Sequence, residues 1–370
     1  MEKQKRLIAI DILRGITIAG MILVNTPGSW QYIYTPLEHS IWNGLTPTDL
    51  IFPFFMFIMG ISTYISLKKT QFEFSTPLMW KILKRVGIMW GIGLFISWFA
   101  ISLYEKRVAE WESVRILGVF QRLAICYGFT AIAVLLIRHK HIPYIIASIL
   151  IGYSMMLILG NGYEYNSTNL LSIVDCTILG ENHMYRDNGI DPEGILSTIP
   201  SIAHVLIGFC CGAVILKPID IRYKIEKLFI IGAVLTFSGF LLDYGLPLNK
   251  KIWSPSFVLV TTGMASSLLS LLIWIVDVRL YKKWSTFFVV FGVNPLFIYV
   301  LATIVSVLFS APFTIISQYA SYNSIADAVF NYLSPILGHY EASLVYALLF
   351  ICLIWGIGHI LYRKNIYVKI

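Results

Sequence analysis

The densest set of side chains able to do chemistry lies near the N-terminus. It reads VNTP over 24–27, then LEHSIWNGLTPTD over 37–49. His39 is the natural general base, because histidine ordinarily changes charge near neutral pH. Asp49 opens the next helix, where a carboxylate favours the positive end of the dipole. Asn25 closes the preceding helix, and its amide is suited to donate to a developing oxyanion. Trp42 and Asn43 lie between them as candidate substrate contacts. Each residue also has a plainer role. A lone loop histidine is often an ordinary surface residue. Thr48 and Asp49 are also helix caps, and Trp42 is also an interface anchor.

A second polar set runs Glu181-Asn182-His183-Met184-Tyr185-Arg186-Asp187, then Asp191-Pro192-Glu193-Gly194. His183, Asp191 and Glu193 suit a polar or cationic ligand; the plainer reading is a solvated loop that caps a helix. His39 and His183 have no HxxxH or HExxH spacing, so no metal is expected. Asp11 and Arg14 are three apart and share a helix face. Charges inside an apolar run are functional suspects, and an ion pair at the interface is the equal alternative. Arg122, in Gln121-Arg122, either pairs with a carboxylate or snorkels outward. Asn294-Pro295 predicts a kink or break. Broken helices at membrane depth line cavities, although a simple packing kink is as plain a reading. Lys81, Lys84, Arg85, Lys282 and Lys283 are candidates to meet phosphates. No Walker or dinucleotide glycine motif accompanies them, and topology alone would account for them.

Those residues need elements to position them, and composition says which kind. The chain has 370 residues, 57% hydrophobic, with a mean hydropathy of +0.75. Charged residues are 13%, about half the usual soluble share of roughly 25%. A water-soluble globule of this size needs more polar surface. The composition predicts an all-α integral membrane protein and disfavours soluble enzymes, secreted disulfide scaffolds and disordered tails. The net charge of +8 would otherwise suggest nucleic acid, but its distribution points to topology. The five cysteines form no CxxC pair and predict neither disulfides nor a cysteine-ligated metal.

A spanning helix needs about 20 mostly apolar residues. Ten segments qualify: 7–26, 49–67, 82–103, 117–137, 142–160, 195–216, 227–244, 256–276, 286–308 and 343–361. The first is read as a retained helix rather than a signal peptide, since Asp11 and Arg14 interrupt it and no cleavage site follows. Ten spans place both termini on one side. With that side cytoplasmic, 20 of the 28 Lys and Arg fall inside and 6 outside, a strong positive-inside bias. Three sizeable loops, 27–48, 161–194 and 309–342, then face outward and are read as irregular. No repeat or linker divides the chain, so 1–370 is read as one transmembrane domain.

These motifs resemble the heparan-α-glucosaminide N-acetyltransferase family of transmembrane acyltransferases and its bacterial relatives. The resemblance runs through DILRGITIAGMILVN (11–25), HSIWNGLTPTDLIFPFFMFIMG (39–60), GVFQRLAICY (118–127) and LGENHMYR (179–186). It continues through DPEGILSTIPSI (191–202), LPLNKKIWSPSFVL (246–259), GVNPLFIYV (292–300) and ILYRKNIYVKI (360–370). It implies a donor, cytoplasmic acetyl-CoA, whose acetyl group reaches the amine of an amino sugar on the outer face. It makes His39 the catalytic histidine and Asn25 its polar partner, and it implies a homodimer. Leu301-Ala302 stands where a glycine-histidine is expected in the lysosomal enzyme, so no second histidine role carries over. The chain begins just before the first core helix, which fits a bacterial inner-membrane protein and leaves the acceptor sugar open.

On this reading Asp49, Trp42, Asn43, His183, Asp191 and Glu193 bind the acceptor. Arg14, Lys81, Arg85, Lys282 and Lys283 meet the donor's phosphates. Transfer is either direct, with His39 taking a proton from the amine, or passes through acetylated His39; direct transfer needs only one positioned base. The rival class is a transporter or flippase of sugars or lipid-linked intermediates, using the same polar residues without chemistry.

Overall fold

The computed structural model describes residues 7–185, 187–312 and 324–368. Lys3, Lys5, Arg6, Arg186 and Lys369, used in the charge count, lie outside the described residues. The described residues form helices joined by loops, with no strands. Among them nine helices are long and apolar enough to cross a membrane, and a bent pair makes a tenth if it crosses as one span. The long helices are α1 (Ile8–Asn25), α2 (Ile51–Lys68), α3 (Thr76–Glu105), α4 (Val119–Leu136) and α5 (Ile142–Leu159). After a short α6 (Leu170–Leu179) come α7 (Ile195–Ile215), α8 (Ile221–Asp243) and α9 (Pro255–Leu272). The bent pair is α10 (Thr286–Val293) with α11 (Pro295–Ser310); α12 (Ile325–Leu337) and α13 (His339–Arg363) close the chain.

Two starts differ from expectation for the same reason. Helix α3 begins at Thr76 rather than 82, because the Ser75 side chain accepts from the Leu78 N–H and Pro77 occupies the first turn. Helix α8 begins at Ile221 rather than 227, because Asp220 accepts from the Arg222 N–H. Caps, not hydropathy, set those ends. Lys81 therefore joins Lys84 and Arg85 on the helix. The loops expected to be irregular over 161–194 and 309–342 contain α6 and α12.

Helix α2 is the central element, packed on α1, α4, α7 and α9. Its fit to α7 depends on two glycines. A Cβ on Gly60 would lie 2.1 Å from the Val205 carbonyl oxygen, and one on Gly208 would lie 2.1 Å from that of Phe57. Small residues let the backbones approach, as apolar surroundings require. At its far end the Lys68 ammonium donates to the Leu216 carbonyl at 2.8 Å. Helix α1 is anchored at its start by Asp277, whose carboxylate accepts from the Ile8 and Ala9 N–H groups. An anion there complements the helix dipole.

The expected break lies at Asn294. Helices α10 and α11 meet at 89°, since Pro295 has no N–H to continue the ladder. The Asn294 amide occupies the corner. It donates to the Ile366 carbonyl at 2.8 Å and accepts from the Val368 N–H at 2.9 Å, tying down the C-terminal segment.

The glycine contact predicts that Gly208→Val disrupts the α2–α7 packing and costs about 2–3 kcal/mol or more in stability. Gly152→Ala, where a Cβ meets nothing within 4 Å, should leave thermal unfolding in detergent unchanged. Equal unfolding temperatures for the two variants would contradict this packing.

Candidate functional site

Helix α2 starts with a Thr46 capping box, and that box places Asp49. The Thr46 hydroxyl accepts from the Asp49 N–H, and the Asp49 carboxylate accepts from the Thr46 N–H. The Asp49 side chain is fully buried. Its Oδ2 also accepts from the Ser40 N–H at 3.2 Å and the Thr46 hydroxyl at 3.0 Å. That leaves Oδ1, which lies 2.7 Å from His39 Nδ1. With Asp49 ionised, a neutral His39 ring donates from Nδ1 to Oδ1 and carries its lone pair on Nε2. The His39 side chain is 48% exposed, and Lys250 Nζ lies 3.5 Å from Nε2.

Lys250 stands beside the pair. Its ammonium lies 2.9 Å from His39 Nδ1 and 3.4 Å from Asp49 Oδ1. Burial lowers its pKa, while Asp49 and Glu193 oppose the change. The adjoining wall is polar and aromatic. Trp42 stacks on Tyr165 with ring centres 4.6 Å apart, and its indole N–H donates to the Tyr163 carbonyl. Asn249 donates to Asn43 at 3.1 Å. Lys251 pairs with Asp187 at 2.6 Å. Sequence reading singled out His39, Asp49, Trp42 and Asn43, and the fold gathers all four here. It quoted Asp187 in the second polar set without assigning it a role, and it missed Lys250 and Tyr165. The LPLNKK stretch held the lysine, but nothing local ties residue 250 to residue 39.

Other expected residues lie differently. Asp191 and Glu193 are already engaged, because Arg115 reaches them at 2.5 and 2.6 Å. Asp191 also accepts from the Tyr185 and Glu193 N–H groups. Burial disfavours the Glu193 charge, but Arg115 and Arg122 outweigh it and hold the pKa below the ordinary range. This pair is a partner for arginine, not an open seat for an ammonium ligand. His183 uses Nδ1 on the Val114 carbonyl at 2.7 Å, pinning two loops together. Asn25 ends α1 exposed, and its side chain hydrogen-bonds neither His39 nor Asp49.

At the opposite, basic end of α2 there is a cavity of about 710 Å³, lined by Asp11, Arg14, Ser62, Lys68, Lys69 and Lys224 among others. A second, of about 220 Å³, shares Arg14 and Ser62 with it and adds Arg85, Leu123, Pro295 and Leu296. The broken helix thus lines a cavity, and Asp11 and Arg14 are a pair at 3.2 Å beside it. Of the expected phosphate contacts, Arg14 and Arg85 line these spaces. Lys81, Lys282 and Lys283 line neither. Lys68, Lys69 and Lys224 do, and were read from sequence only as topology signals. Among the described residues no group of three or more His, Cys, Asp or Glu side chains is placed to hold a metal.

Comparison with known proteins gives one consistent result. Residues 6–242 match the family described as heparan-alpha-glucosaminide N-acetyltransferase, catalytic. The heparan-alpha-glucosaminide N-acetyltransferase of Homo sapiens is 29% identical over 359 residues, covering 80% of this chain and 52% of that protein. That of Mus musculus is 28% identical over 359 residues, covering 80% and 53%. The chain spans about half the length of the curated relatives it matches.

One buried acid near the site carries a pH signature. Asp175 is fully buried, with Oδ1 accepting from the Ile195 N–H at 2.9 Å and Oδ2 unpartnered. Burial, reinforced by Asp191, pushes its carboxyl up to about 6, against that N–H. A raised carboxyl pKa stabilises the fold below the unfolded value near 3.8, and the gain is lost as pH rises through about 6. Asp175→Asn should therefore gain on wild type above pH 6, by about 2–4 °C in unfolding temperature at pH 8. A difference that stays constant from pH 4 to 8 would contradict the assignment.

Proposed function

Because the chain belongs to the heparan-alpha-glucosaminide N-acetyltransferase catalytic family, we propose that it moves an acetyl group from acetyl-CoA to the amine of an amino sugar. The donor binds at the cytoplasmic, basic end and the acceptor at the opposite, periplasmic end. The His39–Asp49 contact of 2.7 Å carries this reading, because it holds a half-exposed histidine in one orientation against a buried carboxylate. As the amine attacks the thioester carbonyl carbon, an N–C bond forms and His39 Nε2 takes the amine proton. The C–S bond then breaks, and the departing thiolate is protonated to give free CoA. Asp49 stabilises the imidazolium formed in between, and the transfer is direct.

Supporting features lie along α2. Asp49 opens the helix, and Ser62, Lys68 and Lys69 line the cavity at its far end. From 49 to 69 the helix rises about 30 Å, the thickness of a bilayer's apolar core. Lys68, Lys69, Lys224 and Arg14 suit the donor's phosphates, with Arg85 in the smaller cavity beyond. The acceptor seat is Trp42, Asn43 and Tyr165, whose aromatic face suits a sugar ring. Asp187 is a nearby acid, paired with Lys251. A glucosamine-type acceptor, a bacterial inner membrane and a homodimer belong to the same reading. Asn25 is assigned to the acceptor side, because an exposed amide in high dielectric is a weak oxyanion donor.

The test is CoA release by purified protein with acetyl-CoA and a panel of amino sugars. Release with at least one sugar is expected. Sugar movement across vesicles without thioester loss would favour a transporter instead. His39→Ala should lower turnover by about 10²–10⁴ while leaving acetyl-CoA binding intact. Retention of more than half the wild-type rate would remove His39 from the chemistry.

Asn25→Ala should raise the acceptor KM by about tenfold with kcat within about threefold, the loss expected of one polar contact. A fall in kcat at unchanged KM would return Asn25 to the reacting carbonyl.

A further inference from the structure

Between the His39 mouth and the basic-end cavities lies a layer of buried polar atoms without partners. Arg122 is 1% exposed. It donates through Nη2 to the Ser197 hydroxyl and, at 3.4 Å, to the Gly194 carbonyl, while Nε and Nη1 have no partner. Its guanidinium lies 5.1 Å from the ring centre of Trp253, whose indole N–H is also unpartnered. Trp253 lies 5.8 Å from His204, ring to ring, and Phe52 of α2 meets it edge-on. The neighbouring residue on α4, Leu123, already lines the smaller cavity. On the other side Lys250, which touches His39, feels the Arg122 charge.

A buried cation normally has a carboxylate against it. Here Asp191 and Glu193 are both held by Arg115, and no carboxylate lies within ion-pair distance of Arg122 among the described residues. Two guanidinium nitrogens and an indole N–H are thus buried without a hydrogen-bond partner among the described residues, between the smaller cavity and the base. Donors of that kind act where negative charge develops.

We propose that Arg122, supported by the Trp253 N–H, is the seat for the carbonyl oxygen of the acetyl thioester. The inference rests on the acetyltransferase reading. When the amine attacks, the carbonyl π pair moves onto that oxygen, and the oxyanion lies against the Arg122 guanidinium. When the C–S bond breaks, the pair returns and the charge leaves with the thiolate. The ground-state carbonyl is neutral, so most of the stabilisation appears in the transition state and the effect falls on kcat. The ligand class is an acyl thioester or an isosteric ketone; a thioether has no oxygen to offer.

The test compares two unreactive ligands on full-length protein in detergent. The ketone analogue of acetyl-CoA with a methylene in place of the sulfur keeps the carbonyl in register, while S-ethyl-CoA keeps the sulfur and has a methylene in the carbonyl's place. Wild type should bind the ketone analogue about tenfold tighter than S-ethyl-CoA. Arg122→Gln should bind both alike, at the wild-type affinity for S-ethyl-CoA, and Arg122→Lys should keep part of the preference. Arg122→Gln should lower kcat by about 10²–10³ with the acetyl-CoA KM within about threefold. Arg122→Lys, which keeps the charge but not the fork, should recover part of that loss. Trp253→Phe keeps the ring, loses only the N–H and should lower kcat by about tenfold.

Unchanged carbonyl preference in Arg122→Gln would overturn the proposal. So would equal loss of both ligands, which would mark a structural arginine. Wild type that binds neither CoA ligand would instead sink the acetyltransferase reading itself, so the two failures are distinct.

Discussion

The site hangs on how Asp49 is held. A buried carboxylate with three hydrogen bonds to the 40–46 turn has one oxygen left to offer, and that oxygen meets His39. Desolvation makes such a group costly unless its partners are in place. The turn before α2, the start of α2 and the His39 ring are therefore fixed together. Lys250 joins the same knot from a loop some two hundred residues away, which makes the site a property of the folded chain.

Helix α2 transmits that placement along the molecule. It presents Asp49 at one end and Lys68 and Lys69 at the other. Between them Phe52 touches Trp253, and the Pro53 carbonyl binds His204. Phe55, Ile58 and Met59 then line the smaller cavity. The close glycine contacts with α7 keep the helix in register with Ser197 and His204. The 89° break at Asn294 opens space on the same side, because Pro295 and Leu296 reach that cavity. On the proposed function, cations for the donor and a base for the acceptor amine lie along one helix.

Much of this was legible in the sequence, for local reasons. Apolar runs of about 20 residues gave the spans, Pro295 gave the break, and Asp49 was read as a helix cap, although its capping partner is Thr46 and not Thr48. His39 stood out by residue type and setting. What failed to show was long-range. Arg115 reaches across 76 residues to Asp191, so acids expected to be open are occupied. Lys250 and Tyr165 reach the site from separate loops. Lys68, Lys69 and Lys224 looked like topology signals, because a cation at a helix end serves either purpose until a cavity is seen beside it. Conversely, Lys282 and Lys283 had the right charge but line neither of the two cavities. Helix ends moved where Ser75 and Asp220 supplied caps beyond the apolar run.

The central claim is that one end of the helix bundle receives the donor and the other performs the transfer. Sealed inside-out vesicles test it directly, with acetyl-CoA added outside and an accepted amino sugar trapped within. The account predicts acetylated sugar inside and free CoA outside, with no acetyl-CoA crossing. In right-side-out vesicles, acetyl-CoA must be trapped within and the sugar supplied outside. Acetylation that requires donor and acceptor on the same face would contradict it.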